Sequence, residues 1–190
     1  MTASDEDAVR AVRRGDRDAF AVLVERYQSR LFGLVMMIVR QPGGAEEVAQ
    51  DAFVRACTHL DRFDQHRPFY PWLASIAVRL SQNWLRHHGA TLRREGAALE
   101  SVAEPGKAGG ALEELIADQR SRDLWQAVAA LSSGERTAVV LYYRDDLTVR
   151  DIAFALGVTT GTVKTLLFRA RRHLRGRLDA TLLYAKEDAV

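Results

Sequence analysis

Apolar side chains recur every three or four residues over most of this chain, and no strand-like alternation interrupts them. Before residue 90 this spacing predicts four helices, over Asp5–Arg14, Asp18–Val39, Gly44–Leu60 and Phe69–His88. Each helix carries one apolar face that must be covered by a neighbour. The pattern therefore predicts an all-α N-terminal domain over residues 1–89.

The helical spacing is lost over residues 90–110, which are rich in Gly and Ala and contain Pro105. This composition predicts a flexible linker. It would span at most about 70 Å when extended, but about 25 Å as a relaxed coil. We therefore expect the free protein to sample compact and open arrangements of two small domains.

Helical spacing returns over residues 111–183, which form a second predicted all-α domain, followed by a C-terminal tail over residues 184–190. A helix is predicted over Leu112–Ala130, and Ser132 with Glu135 has the capping-box spacing that starts another. Thr148 and Asp151 predict the start of a third helix, and Gly157 supplies the left-handed residue on which it ends. Thr159 then caps a fourth. Two helices joined by so short a turn indicate a helix-turn-helix.

The fourth helix of this domain carries cations but no acidic residue between Thr160 and Leu178. An ordinary solvated helix mixes both signs of charge, so this asymmetry favours a polyanionic partner. The N-terminal part of a recognition helix meets base edges in the DNA major groove, whereas cations farther along meet phosphates. We expect base contacts from Thr160, Lys164 and Thr165 and backbone contacts from Arg169 onward. The cations are Lys164, Arg169, Arg171, Arg172, Arg175 and Arg177.

Composition and charge limit the classes of protein to which the sequence can belong. The net charge is +2 over 190 residues, so DNA binding is inferred from one helix and not from the total. The single cysteine, Cys57, is interpreted as a structural thiol, and the five scattered histidines predict neither a metal site nor a cofactor. The longest apolar run, Leu31–Val39, is too short for a membrane span. The acidic N-terminus is unlike a signal peptide, so we expect a cytoplasmic protein.

Two features of the N-terminal domain leave alternatives open. Glu46, Glu47, Gln50 and Asp51 share the polar side of the third helix, as either a solvated face or a docking surface. Aromatic residues lie among arginines between Arg62 and His88, which suits either a helical core or stacking on unpaired bases. Those aromatic residues are Phe63, Phe69, Tyr70, Trp72 and Trp84.

Four segments, in this order and spacing, resemble a known family over nearly the whole chain. They read GDRDAFAVLVERY (15–27), AEEVAQDAFVRA (45–56), RPFYPWLASIAVRLSQNWLR (67–86) and LSSGERTAVVLYYRDDLTVRDIAFALGVTTGTVKTLLFRARRHL (131–174). They are similar to regions 2 and 4 of the extracytoplasmic-function (ECF), or group 4, σ factors of bacterial RNA polymerase, which belong to the σ70 family. The resemblance implies a non-enzymatic factor that directs promoter-specific transcription initiation.

The resemblance also implies roles for individual residues and partners. Region 2 would dock on the β′ clamp helices of core RNA polymerase, and region 4 on the β flap, with an anti-σ factor as the inhibitor until a stress signal arrives. The implied polymerase contacts are Glu46, Glu47, Gln50 and Asp51. The implied minus-10 DNA contacts are Asp64, His66, Arg67, Arg79, Asn83 and Arg86. The implied minus-35 DNA contacts are Thr160, Thr162, Lys164, Thr165, Phe168, Arg169, Arg171 and Arg172.

The chain departs from the family pattern at several positions. Arg79 and Asn83 stand where Asn and Asp are usual, and Leu166 replaces a frequent Arg in the recognition helix. We expect Leu166 either to touch a thymine methyl or to pack inward. Cys57 replaces an aromatic, and Ser132 and Ser133 replace prolines, which we expect to be tolerated.

Three alternatives from other classes of protein explain the sequence less completely. A stand-alone helix-turn-helix regulator would explain only the C-terminal third of the chain. A σ-mimic that titrates an anti-σ factor would keep the fold without reading DNA. An enzyme would need a converging catalytic constellation, and the sequence contains no Gly-rich phosphate loop or catalytic triad spacing.

Overall fold

The computed structural model describes residues 4–94 and 123–187, with side chains over residues 4–88 and 123–178. The N-terminal part contains four α-helices, linked by short 3₁₀ turns at Arg17–Ala19 and Leu60–Arg62. They are α1 (Asp5–Arg13), α2 (Phe20–Val39), α3 (Pro42–Thr58) and α4 (Phe69–Arg94). Within the described ranges there is no β-strand, so the predicted all-α class is confirmed.

Local capping explains where three of these helices begin or end. Ser4 starts α1 with a capping box, because its hydroxyl accepts a hydrogen bond from the Asp7 amide at 3.1 Å. Arg40 ends α2 in the left-handed region, with φ of 59°. Gln41 then caps α3 through the Gly44 amide, with Pro42 in the first turn. The predicted start of α3 at Gly44 was therefore late, because proline is favoured at a first helical position.

Helix α4 runs to Arg94, whereas the sequence analysis ended it at His88 and began the linker at residue 90. The residues that follow Gly89 include Ala, Leu and Arg, which are good helix formers and prolong the helix. The rest of the predicted linker lies outside the described residues. Likewise the last helix continues to Glu187, into the predicted tail.

Helices α2, α3 and α4 pack against one another around a core that includes Leu23, Leu34 and Leu73, all fully buried. Most of the aromatic residues that could have met unpaired bases belong to this core. Phe63, Phe69 and Tyr70 are at most 5% exposed. Their burial decides the open alternative in favour of packing, whereas Trp72 and Trp84 remain partly exposed.

The C-terminal part consists of α5 (residues 123–129), α6 (Ser133–Val139), a π-helical turn (Val140–Arg144), α7 (Val149–Leu156) and α8 (Thr160–Glu187). The N-terminal portion of the predicted helix Leu112–Ala130 lies outside the described residues. The axes of α7 and α8 are bent by 102°, within the usual range of a helix-turn-helix. The predicted stripe of α8 is buried at Val163, Leu167 and Ala170.

The two parts of the chain share one hydrophobic core. Helix α7 packs against α4, and α6 with its π-helical turn packs against α2. This closed arrangement places the helix-turn-helix directly on α4, the helix predicted to contact minus-10 DNA.

Candidate nucleic-acid and protein interfaces

The acidic face of α3, defined as Glu46, Glu47, Gln50 and Asp51, lies opposite the buried stripe of that helix. Ala45, Val48 and Ala52 fill the core, which turns the polar residues outward. Glu46, Glu47 and Gln50 are exposed, whereas Asp51 is half-buried and pairs with Arg55 at 3.1 Å. The structure therefore brings these four predicted residues together on one surface.

The loop before α4 is ordered by its own polar groups. Asp64 accepts a hydrogen bond from the backbone amide of His66 at 3.0 Å and pairs with Arg67 at 3.5 Å. His66 and Arg67 line an open cleft of about 800 Å³ between this loop, α1 and α2. In the same cleft, burial and then a hydrogen bond to Asp5 raise the pKa of Tyr27 to about 12.

Two further predicted minus-10 residues lie in a second cleft, of about 300 Å³, between α3 and α4. Arg79 and Asn83 line it, and Arg86 donates a hydrogen bond to the Asn83 side chain. The predicted minus-10 set is thus divided between two clefts. Arg55 and His59 also line the second cleft, from the C-terminal end of α3, and sequence reasoning missed both. The further lining residues are Arg55, His59, Arg62, Trp72, Ile76 and Leu80.

The start of α8 presents a row of exposed polar side chains. Thr159 caps the helix, because its hydroxyl accepts a hydrogen bond from the Thr162 amide at 3.1 Å, as predicted. Thr160, Lys164 and Thr165 are exposed and therefore accessible to a groove. Thr165 also donates to the Gly161 carbonyl at 3.0 Å, which fixes its hydroxyl within the helix.

The middle of α8 is less uniform than the sequence predicted. Phe168, Arg169 and Arg172 are exposed, and Phe168 is 67% exposed, which is unusual for so large an apolar side chain. Arg171 is also exposed, but it donates a hydrogen bond to the Tyr143 hydroxyl at 2.7 Å.

Of the two positions predicted for Leu166, the structure shows the inward one. It is half-buried and lies beside Gly134 at the start of α6, packed against the core. In this structure the departure from the family pattern is an internal contact between α6 and α8.

A buried polar network, which sequence reasoning missed, joins the two domains at Asp145. The side chain of Asp145 is 0% exposed and lies 2.9 Å from Arg144 and 3.5 Å from Arg30 on α2. Tyr70 on α4 donates its hydroxyl to the same carboxylate at 2.7 Å. The Arg30 guanidinium also lies 3.7 Å from the centre of the Tyr70 ring. Burial, followed by the charge of Asp145, holds the pKa of Tyr70 far above its usual value.

Further contacts join the two domains and, together with the Asp145 network, form the seam between them. Arg40 at the end of α2 donates to the Ala129 carbonyl at 3.3 Å, and Arg136 donates to the same oxygen at 2.6 Å. Burial, followed by the charge of Arg40, lowers the pKa of Arg136 to about 10. Arg67 of the minus-10 loop lies 5.0 Å from the ring centre of Phe154 on α7.

Nowhere in residues 4–94 and 123–187 do three or more His, Cys, Asp or Glu side chains form a group that could hold a metal ion. No single helix of these ranges is long and apolar enough to cross a membrane; α7 and α8 reach that composition only when joined across their bend.

Comparison with protein families matches both domains. The family model for σ70 region 2 matches residues 23–91, and the model for σ70 region 4 matches residues 121–174. These ranges contain the acidic face of α3, the cleft between α3 and α4, the loop before α4 and the helix-turn-helix. The fold and its sites therefore define a σ70-type protein.

Full-length relatives give a narrower assignment. The chain is 34% identical over 176 residues to the ECF RNA polymerase sigma factor SigW of Bacillus subtilis, covering 90% of this chain and 94% of that protein. It is 31% identical over 184 residues to the ECF RNA polymerase sigma-E factor of Escherichia coli K12, with 93% and 95% covered. The chain belongs to the ECF σ factor family, as the sequence predicted.

Two solved structures of similar fold are complexes with a second protein. CnrH in complex with the cytosolic domain of CnrY matches with a TM-score of 0.67 and 25% identity, covering 94% of this chain and 99% of that one. The sigma factor RpoE of Bartonella quintana, in complex with the anti-sigma factor NepR, matches with a TM-score of 0.68 and 24% identity. It covers 84% of this chain and 96% of that one.

Proposed function

We propose that this protein is an alternative σ factor that binds core RNA polymerase and directs it to a specific set of promoters. Two observations in one chain, and in family order, carry the proposal. One is the outward acidic face of α3, and the other is the part of α8 over residues 160–178, which carries cations and no acidic residue. Membership of the ECF family supports the same function. We expect no catalytic activity from the factor itself, and we expect it to act in the cytoplasm, where polymerase works.

In this proposal the helix-turn-helix reads the minus-35 element as duplex DNA. Thr160 and Lys164 are exposed at the end of α8 that enters the major groove, and Arg169 and Arg172 follow on the same helix. Phosphate contacts by arginines set the register, whereas the N-terminal residues discriminate between bases. Arg171 contributes less than its neighbours, because it is held by Tyr143.

Region 2 captures the non-template strand of the minus-10 element. The supporting geometry is the pair of clefts, one lined by His66 and Arg67 and the other by Arg79 and Asn83. In the second cleft Arg55, Arg62 and Trp72 add cations and one partly exposed ring, which suits a strand with a charged backbone and unstacked bases.

Reading both elements at once requires the two domains to separate. Promoter elements more than one DNA turn apart are separated by over about 34 Å, whereas α7 and α4 are in contact here. The closed arrangement, held by the Asp145 network, therefore corresponds to a factor that is not engaged with DNA. Polymerase would stabilise the open arrangement by as much as its affinity for that arrangement exceeds its affinity for the closed one.

An anti-σ factor is the expected inhibitor. The proposal is supported by the two similar structures, whose partners are the cytosolic domain of CnrY and the anti-sigma factor NepR. A protein that covers the acidic face of α3 or holds the domains closed would prevent transcription from the cognate promoters.

Run-off transcription with purified core polymerase on a genomic fragment library tests the proposal. We expect start sites that are absent with core polymerase alone and that share two upstream elements. A σ-mimic would bind an anti-σ factor yet yield no such transcripts. Absence of start sites above core polymerase alone would therefore overturn the proposed function.

Two variants of α8 test the assignment of base and backbone contacts. We expect Lys164→Ala to change promoter preference, and Arg172→Ala to weaken binding to all promoters alike. Loss of one phosphate contact should reduce the slope of log affinity against log salt by about 0.9. An equal loss at matched and mismatched promoters for Lys164→Ala would count against its role in reading bases.

A further inference from the structure

The carboxylate of Glu47 is held in place by a tryptophan from another helix. Trp84 on α4 donates its indole Nε1–H to Glu47 Oε2 at 3.1 Å. The other carboxylate oxygen, Oε1, has no hydrogen-bond partner among the residues that the structure describes. Glu47 is thus fixed at one oxygen and open at the other.

The position of Trp84 depends on a glycine in the first turns of α3. A Cβ at Gly44 would overlap the indole ring, so only glycine lets the ring lie against this turn. His88 stacks on the indole, with ring centres 4.6 Å apart, and its ring nitrogen lies 3.1 Å from the Trp84 carbonyl oxygen. The close approach to Gly44 and the stacked His88 ring both hold the indole in the orientation that reaches Glu47.

Asp51, one helical turn farther along the acidic face of α3, is partnered in the opposite way. Arg55 Nε lies 3.2 Å from Oδ1 and 3.1 Å from Oδ2, and its terminal nitrogen lies 3.1 Å from Oδ2. Both oxygens of Asp51 are therefore occupied by a cation of the same helix, which neutralises the charge locally.

We propose that Trp84 is a positioning residue for polymerase binding, which makes Glu47 the dominant carboxylate of the acidic face and leaves Asp51 a minor one. The inference rests on the proposed docking of this face. A cationic side chain of polymerase meets Glu47 already oriented, so little side-chain entropy is lost on binding. To reach Asp51 the same cation must displace Arg55, so the new ion pair replaces an existing one.

A double-mutant cycle between Trp84 and Glu47 separates positioning from packing. Trp84→Phe keeps an aromatic ring over Gly44 but removes the N–H donor. We expect it to weaken binding of the full-length protein to core polymerase roughly three- to tenfold, with less than about a twofold effect when Glu47 is already Ala. A loss of the same size in both backgrounds would show a structural effect and overturn the inference.

Two adjacent glycines provide a matched pair of variants. Gly44→Ala should displace the indole and weaken polymerase binding, again only while Glu47 is present. Gly43→Ala should leave affinity unchanged, because its Cβ would meet only Gln41 side-chain atoms, at 3.4 Å or more, which is ordinary van der Waals contact. Equal affinities of the Gly44→Ala protein and the wild-type protein would contradict the positioning role.

Arg55→Ala tests the other half of the proposal, in polymerase-binding assays without DNA. Release of Asp51 should tighten binding about two- to fivefold, and Asp51→Asn alone should weaken it less than Glu47→Gln does. Unchanged or weaker binding of Arg55→Ala would overturn the ranking of the two carboxylates. Glu47→Lys separates a failure of the docking surface from a failure of the positioning role. Full polymerase binding by that variant would refute the docking surface itself. Lost binding by Glu47→Lys, together with unchanged binding by Trp84→Phe, would refute only the positioning role of Trp84.

Discussion

Asp145 is buried between the two domains, whereas Glu47 is exposed on α3, and the difference in their partners follows from that burial. Asp145 has Arg30, Arg144 and Tyr70 around a side chain that is 0% exposed. A buried charge without partners would cost several kcal/mol, so its network must be complete. Glu47 needs no such completion, because water solvates it, and it therefore retains an oxygen for another protein. Asp145 therefore serves as an internal contact because it is buried, whereas Glu47 is available for binding because it is exposed.

The largest expected effect comes from removing the buried carboxylate. Asp145→Ala leaves Arg30 and Arg144 without their shared anion and should reduce the free energy of unfolding by about 2 to 4 kcal/mol. The value lies below that of a fully enclosed pair, because the two arginine side chains are 35% and 28% exposed. Urea unfolding at neutral pH measures the change.

The neighbouring acid is the matched control for this variant. Asp146 has a positive φ of 50°, a conformation that Asn tolerates. Asp146→Asn should therefore change stability by less than about 0.5 kcal/mol. If the two variants lost similar amounts of stability, the burial of Asp145 would not explain its contribution to the free energy of unfolding.

A smaller perturbation of the same network should change the arrangement of the domains. Tyr70→Phe keeps the ring beneath Arg30 but removes the hydroxyl donor, at a cost of about 1 to 2 kcal/mol. Fluorescence transfer between dyes on Glu25→Cys and Arg175→Cys, in a Cys57→Ala background, should show a shift toward longer distances. Tyr143→Phe, which removes a hydroxyl within the C-terminal domain, should leave the distribution unchanged. An identical distribution for Tyr70→Phe would argue against a role of the network in closure.

Replacement of Glu135, which belongs to the capping box of α6, should have the smallest effect on stability. Burial raises its pKa, but hydrogen bonds from Ser132 and the charge of His173 outweigh this and hold the pKa below its ordinary value. Because the folded pKa is the lower one, the stabilisation is complete above the unfolded pKa and is lost as pH falls through the folded pKa. Glu135→Gln should cost about 0.5 to 1 kcal/mol at neutral pH.

Unfolding of the Glu135→Gln and wild-type proteins as a function of pH checks this expectation. Their difference should shrink in acid, below the unfolded pKa of the carboxyl. A difference that stays constant down to about pH 3 would mean that the carboxylate charge is not the stabilising feature.

The sequence predicted the helix-turn-helix well because its determinants are local. Thr148 caps α7, Gly157 ends it with a φ of 66°, and Thr159 caps α8, all within a few residues of the helix ends that they define. The acidic face of α3 was equally visible, since one helical turn sets which side chains share a side.

The seam between the domains could not be predicted in this way. Tyr70 and Asp145 are 75 positions apart, and nothing near Asp145 distinguishes it from an ordinary loop acid. The pairing of Trp84 with Glu47 likewise depends on how α4 packs on α3, 37 positions away. Such contacts follow from the packed fold and not from helical spacing, which also explains why aromatic residues that suited unpaired bases proved to be core.

Promoter-dependent transcription by core polymerase with three forms of the protein tests the central claim most directly. The wild-type protein and Tyr70→Phe should initiate at the same promoters, because the seam contributes to closure and not to promoter choice. Glu47→Lys should give no start sites above core polymerase alone while remaining folded. Specific transcription by Glu47→Lys, or none by the wild-type protein, would contradict the account.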